Sequence, residues 1–133
     1  MIGGLLIINC LVIKHVQSVI DQCLLTRFFV KPTISSAGLT ESELKSQGKN
    51  YKVLTMPAAS VPKSQVIGDP RGLYKCMIDP ETDEILGITI YAEEAHETIN
   101  VLTIAMQHHL TATDLKNHIY GHSTMTEALN ELF

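Results

Sequence analysis

Three β-rich runs in the middle of the chain constrain its fold more than any other feature of the sequence. They read YKVLTMP (51–57), GLYKCMID (72–79) and EILGITIYA (84–92). The last two flank PETDE, a polar turn of the length found in hairpins. The three runs therefore predict an antiparallel meander.

Helical patterns lie on both sides of these runs. Thr40 and Glu43 form a T-x-x-E capping box, which predicts a short helix over about 41–47 that Gly48 would end. From Ala92 onward, apolar residues recur at spacings of three and four, which predicts the longest helix. These residues are Ala95, Ile99, Leu102, Ala105 and Met106.

Two shorter helices are predicted near the C-terminus. TATDLKNHIYG has Thr111 or Thr113 as its cap and Gly121 as its stop, and TMTEALNELF follows. The apolar side of the last helix would carry Leu129, Leu132 and Phe133. Strands grouped in the middle with helices at the ends predict an α+β fold with a central antiparallel sheet flanked by helices.

Composition narrows the cellular setting and the partners. A chain of 133 residues suits one domain, and a net charge of −4 with scattered Lys and Arg argues against nucleic-acid binding. Three cysteines, Cys10, Cys23 and Cys76, without a C-x-x-C pair indicate a reducing cytoplasm. The apolar run Gly3–Ile13 is too short for a bilayer, which takes about 20 residues, so no membrane association is expected.

Residues 1–30 are apolar and end in LLTRFFV, where neither a helical nor a strand period is clean. We interpret residues 1–28 as an apolar leader of unclear origin and residues 29–133 as the domain. A buried strand or helix within the leader, or a non-native leader, are both compatible with its hydrophobicity.

Several motifs of cofactor and catalytic chemistry are absent from the sequence. It contains no G-x-G-x-x-G, no G-x-x-x-x-G-K-[ST] and no G-x-S-x-G. No cofactor is therefore expected to bind this chain. Cys76 falls within a strand pattern, where a packed thiol is favoured over a nucleophile.

Histidines are the remaining chemical candidates. His118 and His122 have the H-x-x-x-H spacing of a zinc pair, but Gly121 lies between them and no glutamate follows His118. We therefore expect no metal site. His122 is also five residues ahead of Glu127, and a carboxylate that accepts the Nδ1 proton would leave Nε2 free to exchange a proton with a thiol or carbonyl. Thr124 and Glu127 alternatively make a capping box, which the spacing alone favours.

Four stretches together, at fitting intervals, carry a resemblance to a known family. KPTISSAGLTESELKSQG, GLYKCMIDPETDEILG, AEEAHETIN and GHSTMTEAL occur in that order. From about Phe29 to Phe133 the chain resembles the C-terminal dimerisation domain of the pyridine nucleotide-disulfide oxidoreductases. This flavoprotein family includes glutathione reductase, dihydrolipoamide dehydrogenase and mercuric reductase.

The resemblance implies roles for both residues of the C-terminal motif. His122 would be the acid–base histidine that serves the redox-active dithiol of the partner subunit, and Glu127 would orient it. It also implies three layers, a two-fold homodimer, and FAD and NAD(P)H in a full-length enzyme. AEEAHETIN and HSTMTEALNELF favour a bacterial branch associated with resistance to reactive chlorine or hypothiocyanite.

Two departures from the family pattern bear on function. Ser123 replaces the proline that follows the histidine. In the family that bond is typically cis, and a cis bond is costly before other residues, so either the cis form is kept or the ring is aimed differently. The FAD domain, the NAD(P)H domain and the C-x-x-x-x-C pair do not occur in these 133 residues.

We therefore expect a detached dimerisation domain, either a truncated gene product or a fragment, that is inactive alone and self-associates. The stripe from Ala95 to Met106 is a candidate for part of the dimer face, although burial in the core is the more common fate of such a stripe. One alternative is a stand-alone interaction module that binds a full-length reductase. A small metal-binding protein using His118 and His122 is the third hypothesis.

Overall fold

The computed structural model describes residues 26–28 and 30–133. The predictions for Cys10, Cys23 and most of the leader lie outside the described residues. The strands are β1 (Thr26–Phe28), β2 (Thr33–Gly38), β3 (Lys52–Pro57), β4 (Leu73–Ile78) and β5 (Ile85–Ala92). The helices are α1 (Glu41–Ser46), α2 (Pro62–Ile67), α3 (Ala95–Gln107), α4 (Ala112–Asn117) and α5 (Ala128–Leu132), with 3₁₀ turns at Ala58–Ser60 and Met125–Glu127.

The five strands form one antiparallel sheet in the order β1-β2-β5-β4-β3. The predicted meander of β3, β4 and β5 is confirmed, as is the α+β class. Strand β5 is central, because β2 pairs along its other edge, with Ser35 opposite Ile90. The chain that leaves β2 passes close to Gly87 of β5. A Cβ at Gly87 would lie only 1.9 Å from the Leu39 carbonyl oxygen, so a larger residue would not fit there.

Strand β2 was not predicted. Its sequence TISSAG is poor in the β-branched and aromatic residues that favour strands. The tertiary context supplies the pairing that propensity does not, because both neighbours, β1 and β5, bond to it.

Helix α3 packs its apolar stripe onto one face of the sheet. Ala95, Ile99, Leu102 and Ala105 belong to the main core together with inward residues of β4 and β5, and Met106 packs against that core. The expectation that this stripe forms part of a dimer face is therefore wrong. The sheet and the helix each bury an apolar surface against the other, which is the ordinary way an α+β domain forms its core.

Helix α1 covers part of the opposite face of the sheet. Leu44 is fully buried there, and Glu41 forms an ion pair with Lys75, whose side chain points away from the main core. The predicted capping box of Thr40 and Glu43 is present, and Gly48 follows the helix with a positive φ of 64°. With α1 on one side and α3 on the other, the domain has the three expected layers.

One predicted helix ends earlier than expected, and one helix was not predicted. Helix α4 starts at the Thr111 cap but ends at Asn117, well before Gly121, because His118 is already extended. Helix α2 was not predicted, although Pro62 begins it and Gly68, in a left-handed conformation, ends it. Its one buried residue is Ser64, so it lacks the apolar periodicity by which helices are found in sequence.

Within the described ranges, no helix is long and apolar enough to cross a membrane.

Candidate functional site

The segment between α4 and α5 carries the candidate site. Glu127 ends the 3₁₀ turn Met125–Glu127 and leads directly into α5. Met125 and Leu129 on either side of it are buried in the main core. This anchoring holds the backbone of Glu127, whereas the His122 side chain is 82% exposed.

His122 and Glu127 form a hydrogen-bonded pair. The distance from His122 Nδ1 to Glu127 Oε1 is 3.0 Å. Because an ionised carboxylate can only accept, the hydrogen lies on Nδ1. The neutral ring therefore has an unprotonated Nε2, which faces outward from the pair and can accept a proton.

The second oxygen of Glu127 makes the cap that the spacing favoured. The Thr124 backbone N–H donates to Glu127 Oε2 at 2.9 Å, and the Thr124 hydroxyl donates to the Gly121 carbonyl at 2.8 Å. The Thr124 N–H, and after it the bond from His122, hold the pKa of Glu127 below its usual range. One carboxylate thus serves both as the cap and as the partner of the histidine.

Ser123 does not prevent the cis geometry discussed above. The His122–Ser123 peptide bond is cis, and the Lys31–Pro32 bond is cis as well. The first of the two alternatives raised by Ser123 is therefore the one observed.

Two residues that were not predicted from the sequence, Asn130 and Tyr120, make hydrogen bonds that restrain the segment leading to His122. Asn130 Nδ2 donates to the carbonyls of Lys116 and His118, at 2.7 and 2.9 Å. The Tyr120 hydroxyl donates to the Leu115 carbonyl at 3.0 Å, and burial raises the pKa of Tyr120 to about 12. The Asn130 contacts leave no signal in sequence spacing, because they depend on how α4 and α5 meet.

The other candidate residues of the sequence analysis, His118 and Cys76, make packing contacts. The His118 ring lies edge-on to Tyr120 with centroids 4.9 Å apart. Among the described residues, no group of three or more His, Cys, Asp or Glu side chains is arranged to hold a metal ion. Cys76 is fully buried, and burial raises the pKa of its thiol, as expected for a packed cysteine.

A second histidine–glutamate pair lies elsewhere on the domain. His109 Nδ1 is 3.2 Å from Glu84 Oε1. Glu84 is 44% exposed, against 23% for Glu127, so its carboxylate is the less sheltered of the two. This pair provides an internal comparison for the first.

The N-terminus of α3 does not offer the phosphate site that a flavin or nicotinamide dinucleotide uses. Such cofactors place a pyrophosphate at a helix N-terminus behind a glycine-rich turn. The longest helix, α3, instead has Glu94 as its N-cap and Glu97 in its first turn. These carboxylates would repel a phosphate.

Comparison with known proteins gave concordant matches. The sequence model of the pyridine nucleotide-disulphide oxidoreductase dimerisation domain matches residues 25–133. The probable pyridine nucleotide-disulfide oxidoreductase RclA of Escherichia coli (strain K12) is 34% identical over 105 residues, which are 79% of this chain and 24% of the relative. A dihydrolipoyl dehydrogenase of Mycobacterium tuberculosis (strain ATCC 25618 / H37Rv) is also 34% identical, over 79% of this chain and 23% of the relative.

Solved structures agree with the sequence matches. The HOCl-induced flavoprotein disulfide reductase RclA from Escherichia coli superposes with a TM-score of 0.81 at 32% identity, covering 84% of this chain and 26% of that chain. The chain spans about a quarter of the length of these relatives.

Proposed function

The chain belongs to the pyridine nucleotide-disulphide oxidoreductase family, whose dimerisation domain it contains, and from this we propose that His122 and Glu127 supply acid–base catalysis to a redox-active dithiol on a partner subunit. The observation that carries the proposal is the 3.0 Å bond from His122 Nδ1 to Glu127, which occupies Nδ1 and leaves Nε2 free on an exposed ring. The partner is a second copy of the same protein.

Proton transfer follows from the geometry of the pair. Nε2 accepts the proton of a thiol, which becomes a thiolate, while the ring becomes an imidazolium. When a disulfide substrate is attacked and its second sulfur leaves as a thiolate, Nε2 returns the proton to that sulfur. The ring thereby ends each cycle in its starting state.

Glu127 makes this transfer favourable in two ways. Its bond to Nδ1 selects the tautomer in which Nε2 is the acceptor, and its negative charge stabilises the imidazolium. Because the pKa of Glu127 is lowered, the carboxylate is ionised at neutral pH and both effects persist there. Glu127 is thus an orienting group that does not itself take the proton.

The remaining chemistry would lie outside the described residues. RclA is a flavoprotein disulfide reductase, and we propose the same class of reaction, disulfide reduction with FAD and NAD(P)H, for the assembly in which this domain acts. A flavin, when bound there, would carry electrons from the nicotinamide to the disulfide form of the redox-active dithiol. The chain by itself is proposed to be inactive.

Turnover of a chimeric reductase tests the proposal. Residues 30–133 would replace the corresponding domain of E. coli RclA, and NAD(P)H-dependent disulfide reduction would be measured. His122→Gln should lower the turnover number by about 10²- to 10⁴-fold, the usual contribution of general acid–base catalysis. His109→Gln, which breaks the other histidine–glutamate pair, is the matched control and should leave turnover unchanged.

Equal turnover in the parent and in His122→Gln would refute the acid–base role. Failure of the parent chimera to assemble would be addressed with the 133-residue chain, by co-purification with a full-length reductase. Capture of the chain by such a reductase without any gain in activity would favour the interaction module over the acid–base domain.

A further inference from the structure

The C-terminal end of α4 is closed by a side chain from another helix. The last carbonyls of a helix lack intrahelical donors and need other partners. At α4 the Asn130 amide supplies two, because each hydrogen of its Nδ2 bonds a different carbonyl, those of Lys116 and His118. Both bonds are short, at 2.7 and 2.9 Å, and Asn130 is half-buried.

These two bonds join the two halves of the candidate site. The His118 carbonyl lies four residues before His122 on the segment that leads to it. Asn130 lies in α5, three residues after Glu127, which is the N-cap of that helix. The Asn130 amide therefore ties the segment that carries the histidine to the helix that begins at its carboxylate partner.

We infer that Asn130 is a positioning residue for His122, which sets the distance between the His122 ring and the Glu127 carboxylate by bonding the Lys116 and His118 carbonyls. The inference rests on the proposed function, in which that distance selects the tautomer. Without the bond, the segment from His118 to Gly121 keeps the bonds from Tyr120 to Leu115 and from Thr124 to Gly121 but loses its direct bond to α5. Ile119, 91% exposed in this segment, contributes little burial to restrain it.

The competing explanation is a purely structural cap. An asparagine that satisfies two orphan carbonyls stabilises the domain wherever it lies. The two explanations differ in what happens at His122: a structural cap affects unfolding alone, whereas a positioning residue also affects the state of the ring.

The experiment measures the His122 tautomer in the 133-residue chain by long-range ¹H–¹⁵N NMR. Spectra would be recorded at about pH 9, well above the ordinary histidine pKa of about 6.5, so that the rings are neutral. In the parent the Nδ1–H form of His122 should predominate. Asn130→Ala, which removes both donors, should lose this predominance in favour of a mixture with the Nε2–H form.

Two further variants make the test decisive. Asn130→Ser keeps one donor and should give an intermediate tautomer ratio in a chain that still folds. Asn100→Ala is the matched control, because Asn100 Nδ2 also donates to a backbone carbonyl, that of His96 at 3.3 Å, but on α3. It should leave the His122 tautomer as in the parent.

An unchanged tautomer ratio in Asn130→Ala and Asn130→Ser, whatever their melting temperatures, would overturn the inference and leave Asn130 as a cap. A dependence of the ratio on Asn130 together with full turnover of the His122→Gln chimera would instead refute the proposed function alone. The two failures are thus separable.

Discussion

At the scale of the residue, the C-terminal site depends on how one carboxylate divides its two oxygens. Oε1 of Glu127 bonds His122, and Oε2 bonds the Thr124 N–H. The cap fixes the glutamate at the end of the 3₁₀ turn, so the oxygen that remains is aimed at the ring. A capping box and a histidine–glutamate pair, which are alternatives by sequence spacing, are one hydrogen-bonded unit in the structure.

Stability of the chain at low pH should depend on Glu127. Its pKa in the folded chain is lowered, so its stabilising contribution is present above the unfolded-state pKa, about 4.3, and is lost as the pH falls through the lower folded-state pKa. Glu127→Gln should therefore reduce the urea midpoint at pH 7, and the difference from the parent should shrink toward pH 2. Glu131→Gln, at an exposed glutamate of the same helix, should follow the parent at both pH values. A constant difference for Glu127→Gln from pH 7 to pH 2 would contradict the assignment.

At the scale of the element, helix α3 determines which surface is core. Its stripe packs on the sheet, while Ile104 on the outer side of the same helix is 57% exposed. An amphipathic pattern by itself shows that one face of a helix is covered. It does not show which surface covers that face. In this domain the covering surface is β2 and β5 of the same chain.

Substitutions on the two sides of α3 should separate core from surface. Leu102→Ala, at a fully buried position, should lower the free energy of unfolding by about 2–5 kcal/mol because it leaves a cavity. Ile104→Ala should change it by no more than about 0.5 kcal/mol, as is usual for surface positions. Urea denaturation followed by circular dichroism measures both. Similar losses for the two variants would mean that the exposed side of α3 is itself buried, for example against a second copy.

At the scale of the whole molecule, the family membership and the exposed apolar side chains point to association. Two well-separated examples are Ile119, 91% exposed near His122, and Leu73, 44% exposed on the sheet face away from the main core. If His122 serves a dithiol of the partner, the partner must approach the segment that carries both Ile119 and His122. An isologous contact there would cover it on both copies.

Sedimentation velocity over a range of concentrations tests this association. The parent chain should show a reversible dimer, and Ile119→Asp should shift the equilibrium toward the monomer because the contact would bury a charge. Leu73→Asp, the same kind of change on the other face, should dimerise as the parent does. A monomeric parent at all concentrations would exclude self-association of the chain, and a weaker dimer for Leu73→Asp alone would place the contact on the sheet.

Local signals in the sequence were enough for those elements whose causes are local. The meander, the capping box at Thr40, a threonine cap before α4 and the amphipathic α3 follow from turn residues, caps and periodicity, all of which act within a few residues. The pairing of His122 with Glu127 was accessible for the same reason, since five residues and one turn separate them. Only the resemblance to the family favoured this pair over the capping box of Thr124 and Glu127.

Contacts between distant segments were decided only by the tertiary structure. Strand β2 has weak propensity of its own and exists because β1 and β5 bond to it. The two bonds that Asn130 donates at the end of α4 come from 14 and 12 residues beyond the carbonyls of Lys116 and His118. Sequence periodicity reports which face of an element is apolar, but the partner of that face, and of a lone polar side chain such as Asn130, is set by how the elements pack.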